Sequence, residues 1–148
     1  MSKYALVRRP SPRLADGLVT HIDRSPVDAE LAAQQWDGYV AALHANGWET
    51  TEVAAAPQLA DSAFVEDTMV VFRDLAVLAR PGADERKPEV FAAAGAVHSY
   101  GYRTVSLEAH GTLDGGDIPK VGSTIYGGNG GRTNLDGIAQ LAAALEPL

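Results

Sequence analysis

The chain contains no cysteine. That excludes disulfides, thiolate metal sites and a cysteine nucleophile within these 148 residues. It also lacks any apolar run near the roughly 20 residues that a membrane-spanning helix needs. The opening Met1-Ser-Lys-Tyr-Ala-Leu-Val-Arg-Arg carries no long apolar segment of the secretory kind. Together these absences fit a cytoplasmic protein. Positive charge is scarce: 12 Lys and Arg stand against 19 Asp and Glu, a net charge of −7. Nucleic-acid binders draw much of their affinity from neutralising phosphates, so this balance argues against one. What is present is a hydrophobic fraction of 46%, enough at this length for one domain with a buried core.

Local patterns predict an alternation of strands and helices. Residues 4–8 read as a short strand, and 10–23, with Pro10, Pro12 and Gly17, as a loop. Ser25-Pro26 has the form of a helix start, a capping hydroxyl followed by proline. Ala29, Ala32, Trp36, Tyr39 and Leu43 then recur at helical spacing, and Gly47 supplies the stop. Strands are expected at 48–54, 69–72 and 75–79, the last two joined at Arg73-Asp74. A second helix over 88–98 leads to a strand at 103–107. Two short strands, 118–121 and 124–126, turn at Gly122-Ser123, and Thr133 or Asn134 caps a last helix over about 135–146. Trp36 and Phe91 read as core residues.

The chain echoes itself. Gly47-Trp-Glu-Thr-Thr-Glu-Val follows the first helix and Gly101-Tyr-Arg-Thr-Val-Ser-Leu follows the second. Each leads to an acidic loop ending in Asp67 or Asp117, then a strand pair. Such similarity marks repeated supersecondary units of the form strand–strand–helix–strand. The third helix reaches Leu148 without a following strand, so the last unit reads as cut short.

Three segments carry chemistry. Asp61-Ser-Ala-Phe64-Val-Glu66-Asp67 crowds three carboxylates together, which is costly unless a cation compensates. A guanidinium suits them, because its planar donors meet carboxylates bidentately. The plain alternative is a solvated acidic loop with Asp61 or Asp67 capping a turn. Asp114-Gly-Gly-Asp117 allows close backbone approach to a ligand, or is simply an Asp-Gly turn. Gly127-Gly-Asn-Gly-Gly-Arg132-Thr-Asn134 puts backbone amides and an arginine at a helix start, an anion site, or else forms a mobile loop. It has no phosphate-loop lysine. The stretch Arg80-Pro-Gly-Ala-Asp-Glu-Arg86 adds an arginine to a pocket or is a turn with a solvated charge. His21, His44, His98 and His110 show no metal-ligand spacing, and the aspartates lack the alternation of a calcium loop.

In order, Arg9-Pro-Ser-Pro-Arg, Asp16-Gly17-Leu18, the Asp61–Asp67 segment, Arg80-Pro-Gly-Ala, Leu113-Asp114-Gly-Gly-Asp117 and Gly131-Arg132-Thr-Asn134 resemble the N-terminal portion of the dimethylarginine dimethylaminohydrolases. These belong to the guanidino-group-modifying superfamily, α/β proteins of five-bladed β/α-propeller (pentein) fold. The resemblance covers nearly the whole chain. It implies a single partial propeller domain over 1–148, with about three blades present and the C-terminal blades absent. It implies that Asp61 and Asp67 hold a substrate guanidinium, with Phe64 and Glu66 lining the site and Leu18 in a lid. Asp114 would be the catalytic carboxylate, and Arg86 and Arg132 would bind the α-carboxylate of a methylated arginine. The family reaction uses a cysteine nucleophile and a histidine acid/base, needs no metal or other cofactor, and yields citrulline and dimethylamine. Neither the cysteine nor the matching histidine is in this chain. A non-catalytic arginine-binding module, an arginine deiminase or amidinotransferase relative, and an anion-binding module on the glycine-rich loop are the competing readings. Uncovered strand edges would favour association, as a homo-oligomer or with a missing C-terminal half.

Overall fold

A computed structural model of the chain describes residues 3–20 and 22–148. His21 therefore lies outside the described residues. The chain divides into two compact units, Met1–Val65 and Glu66–Leu148.

In the first unit, β1 (Lys3–Val7) pairs in parallel with β2 (Trp48–Glu52), Lys3 opposite Trp48 and Val7 opposite Glu52. Parallel neighbours require a crossover, and α1 (Ala29–Ala45) supplies it. The helix does not start at Ser25-Pro26. Asp28 is the cap, in extended conformation, and its carboxylate accepts the N–H groups of Glu30 and Leu31 at 3.0 Å each. One aspartate thereby satisfies two donors that the first turn leaves open. The inward stripe also differs from the expected one. Ala32, Trp36, Val40 and Leu43 are half-buried, whereas Tyr39 is 57% exposed. The stripe steps by four residues twice before it steps by three, which keeps Val40 inward and turns Tyr39 out. Gly47, at φ 77°, ends the helix as expected.

The second unit contains one whole strand–strand–helix–strand repeat. β3 (Met69–Phe72) and β4 (Leu75–Leu78) form an antiparallel hairpin through Arg73-Asp74, with Arg73 at φ 52°. The helix α2 (Glu89–Ser99) then carries the chain to β5 (Arg103–Ser106), parallel to β4. The central strand is the most buried, with Leu75, Ala76 and Val77 out of solvent. A short hairpin follows, β6 (Lys120–Val121) and β7 (Thr124–Ile125), turning at Gly122 with φ 61°. The last helix, α3 (Leu135–Leu145), is capped by Asn134, whose side chain accepts from the N–H of Gly137. Val70, Leu75, Val77, Leu107, Leu113 and Leu141 meet in the core of this unit.

Phe91 is not a core residue; it is 79% exposed. The buried positions of α2 are Glu89, Ala93 and Val97, four residues apart, and a residue two positions along from Glu89 faces roughly the opposite way. The core face of α2 is thus built from small side chains and one carboxylate.

Candidate active site

In the first unit the segment 14–18 folds against Asp61. The Asp61 side chain, in a residue 9% exposed, accepts the N–H of Leu18 at 2.9 Å through Oδ2. Arg24 donates through Nη2 to the carbonyl of Gly17 at 2.9 Å. A Cβ on Gly17 would stand 2.5 Å from Asp61 Oδ1, so a larger residue here would displace the Asp61 carboxylate. A cavity of about 270 Å³ is lined by Leu14, Leu18, Val19, Val27, Asp61 and Phe64, among others. Leu18, Asp61 and Phe64 are therefore brought together around one mostly apolar hollow with a carboxylate in its wall.

In the second unit Glu66 and Asp67 lie on the single helical turn Val65–Thr68, just before β3. Glu66 is exposed. Asp67 is committed on both oxygens: Oδ2 accepts from Arg86 Nη1 at 2.6 Å, and Oδ1 accepts the N–H of Gly116 at 3.0 Å. Arg86 also donates through Nε and Nη2 to Glu89, at 3.2 and 2.7 Å. Arg86 and Glu89 are each 2% exposed. Arg86 at the end of the turn 80–86 is therefore not a solvated charge; it is buried between two carboxylates. Burial works against that charge, but the hydrogen bonds it donates to Glu89 and then Asp67 outweigh it and raise the Arg86 pKa above its ordinary value. The other arginine of the turn, Arg80, donates to the carbonyl of Gly111 at 3.1 Å, a strut between neighbouring segments.

Asp114 is 3% exposed. Its Oδ1 accepts the N–H of Gly82 at 3.3 Å, and its Oδ2 lies 3.6 Å from Arg132 Nη1. The segment carrying Arg132 comes so near Gly82 that a Cβ there would fall 2.4 Å from the Arg132 carbonyl oxygen. Behind Asp114, its own N–H donates to Thr133 Oγ1 at 3.0 Å, and that hydroxyl donates to Asp117 Oδ2 at 2.6 Å. Burial, followed by the negative charge of Asp67, raises the Asp114 pKa above 3.8, against the opposing pull of the Gly82 N–H, Arg86 and Arg132. The structure thus gathers Asp67, Arg86, Asp114 and Arg132 at one end of this unit.

A raised carboxyl pKa means the folded state favours the neutral acid. Its stabilising contribution is full below the unfolded-state value and is lost as pH rises through the folded-state value. The variant Asp114→Asn is therefore expected to melt higher than the parent at pH 7 to 8, by on the order of 2 °C. The gain should vanish near pH 3 to 4, about the ordinary carboxylate pKa or below it. Melting curves across that range check it, and a lower melting point for the variant at pH 8 would contradict it.

Sequence patterns single out Thr133 only as a candidate helix cap and do not point to Glu89. Glu89 had a legible signal: a charged residue on the same helical stripe as Ala93 and Val97, three residues after Arg86. The Thr133 contacts had none, because the partners lie 16 and 19 positions away. Of the described histidines, His44 bonds Thr50 Oγ1 through Nε2 at 2.7 Å, and all three are exposed. Among the described residues no group of three or more His, Asp or Glu side chains is disposed to hold a metal ion, and no helix is long and apolar enough to cross a membrane.

No family model matches the chain. Curated relatives do. It is 57% identical, over 99% of its own length, to an N(G),N(G)-dimethylarginine dimethylaminohydrolase of Streptomyces coelicolor, and 34% identical over the same share to that of Pseudomonas aeruginosa. It spans 57% and 58% of those proteins, just over half of each. Among solved structures, the Pseudomonas aeruginosa enzyme, as a cysteine-to-serine mutant complexed with citrulline, superimposes with a TM-score of 0.93 at 34% identity, over 99% of this chain and 58% of that one. The N-terminal domain of the arginine dihydrolase ArgZ superimposes with a TM-score of 0.86 at 20% identity, over 97% of this chain and 54% of that one. That last match speaks for the fold alone. The architecture is the α/β fold of the pentein enzymes.

Proposed function

We propose that this chain, homologous along nearly its whole length to the dimethylarginine dimethylaminohydrolases, is the substrate-binding portion of an amidine hydrolase acting on N-methylated arginine. One observation carries the reading: 57% identity across 99% of the chain to a protein of that name. The gathering of Asp67, Asp114 and Arg132 in one unit, and of Leu18, Asp61 and Phe64 in the other, supports it.

The chemistry follows from the homology. A cysteine thiolate attacks the guanidinium carbon, dimethylamine leaves, and water hydrolyses the covalent adduct to citrulline. A histidine acts as acid and then as base. The cysteine, and on this reading the histidine, come from outside these 148 residues. Asp114 orients the histidine and favours its protonated form. A carboxyl held in a buried setting suits that task, since a cationic imidazolium beside it would compensate its charge.

Asp61 and Asp67 are each assigned to the substrate guanidinium, with Phe64 and Glu66 beside it and Leu18 in the segment that covers it. Arg132, whose side chain is 30% exposed, takes the α-carboxylate. Arg86 is assigned to the α-carboxylate with it; its Nε, Nη1 and Nη2 also donate to Asp67 or Glu89, which fixes Asp67 in place. An arginine facing the amino-acid end favours a substrate that bears a carboxylate over agmatine.

The test uses the full-length protein from its source. Given asymmetric dimethyl-L-arginine, it is expected to release citrulline and dimethylamine in equal amounts. Ammonia released from free arginine at a higher kcat/KM would instead make it a deiminase. Binding without turnover would make it an arginine-binding module.

A further inference from the structure

We infer that Thr133, braced by Asp117, is a positioning residue that fixes where Asp114 presents its carboxyl. The inference deepens the hydrolase reading and rests on it. Thr133 is 0% exposed, and its hydroxyl has a single proton. Asp117 Oδ2, 2.6 Å away, is an acceptor when ionised, so the proton points there. A lone pair is left facing the Asp114 N–H at 3.0 Å. The Asp114 N–H can only donate, so the hydroxyl accepts there and gives its one proton to Asp117.

The remaining contacts leave Asp114 little freedom. Its carbonyl accepts the N–H of Asp117 at 3.0 Å, which closes the turn Gly115–Asp117. Two residues earlier, Thr112 donates its N–H to Asn134 Oδ1 at 3.1 Å and accepts the Asn134 N–H at 3.0 Å. Asp117 is itself held through its carbonyl by the N–H of Gly128 at 3.0 Å. The backbone of Asp114 is therefore laid against residues 133–134, immediately next to Arg132. One hydroxyl couples the position of the carboxyl to that of the arginine beside it. Without it, a buried N–H and a carboxylate oxygen both lose a partner.

Two independent readouts test this. In the full-length protein, Thr133→Val keeps the side-chain shape and removes the hydroxyl; kcat for citrulline formation is expected to fall roughly tenfold, more than KM changes, because a small misplacement of a reacting group is costly. Thr133→Ser, which restores the hydroxyl, should recover most of the loss. Separately, carboxyl-carbon NMR follows the titration of Asp114 in the same proteins. Its midpoint should move toward the ordinary carboxylate range in Thr133→Val, as the freed side chain reaches water, and should stay in place in Thr133→Ser. Asp117→Leu should reproduce the shift, and the double variant should add nothing to it.

An Asp114 titration unchanged by Thr133→Val or Asp117→Leu would overturn the inference, as would a serine variant as impaired as the valine one. If Thr133→Val does not fold, the Asp117→Leu titration decides. A parent protein that makes no citrulline would sink the hydrolase reading alone, because the titration needs no turnover.

Discussion

Replacing Arg86 with alanine is expected to be the most damaging single change to a charged residue in this chain, lowering stability by about 3–5 kcal/mol. The reason is what remains. Glu89, 2% exposed, would lose its three bonds from the guanidinium, and Asp67 would lose a 2.6 Å partner. Buried charges left unpaired cost far more than a surface ion pair is worth. For a chain of this size the melting point should fall by on the order of 10 °C. The loss should shrink in acid, where the orphaned carboxyls take up protons and no longer need a cation. Pairing Arg86→Met with Glu89→Leu should recover much of it, since a buried pair replaced as a whole is often nearly neutral. Urea unfolding of the parent, single and double variants at pH 7 and pH 4 measures all of this. An Arg86→Ala protein within about 1 kcal/mol of the parent at pH 7 would show the network to be energetically idle.

The second large effect concerns a residue with no side chain. A Cβ on Gly115 would sit 2.1 Å from the carbonyl oxygen of Glu66 and 2.7 Å from that of Met69. Both are backbone atoms at the entry to β3, so nothing flexible can turn aside. Gly115→Ala is expected to cost about 3 kcal/mol or more and to push Asp114, the adjacent residue, away from Gly82 and Arg132. Gly95→Ala serves as the control. Gly95 lies inside α2 with nothing within 4 Å of its added Cβ, so the same change there should stabilise by up to about 1 kcal/mol through helix propensity. Opposite signs for two glycine-to-alanine changes in one unit would separate close packing from backbone preference. Equal effects at both sites would contradict the geometry.

The two glycines also show why some features were legible in the sequence and others were not. Part of the repeat was legible: a helix leading through a glycine stop into a strand recurs at Gly47 and Gly101, both at positive φ, because glycine is the residue that adopts that backbone at little cost. The Asn134 cap was among the two candidates named. The Asp61–Asp67, Asp114–Asp117 and Arg132 motifs were legible as residue types suited to a guanidinium and a carboxylate. Ser25-Pro26 does not start the helix, because in the folded chain it is the Asp28 carboxylate that meets the first-turn N–H groups.

The sequence by itself determined the local grammar of this protein: where strands and helices run, where glycine must end them, and which side chains bring charge. Those properties depend on neighbours within a few residues and on hydrophobic period. Only the tertiary structure decided that Arg86 is buried between Asp67 and Glu89, that Phe91 and Tyr39 face outward, and that the Thr133 hydroxyl stands between Asp114 and Asp117. The physical reason is that burial sets the worth of a charge or hydroxyl, and burial is a property of segments brought together from distant parts of the chain.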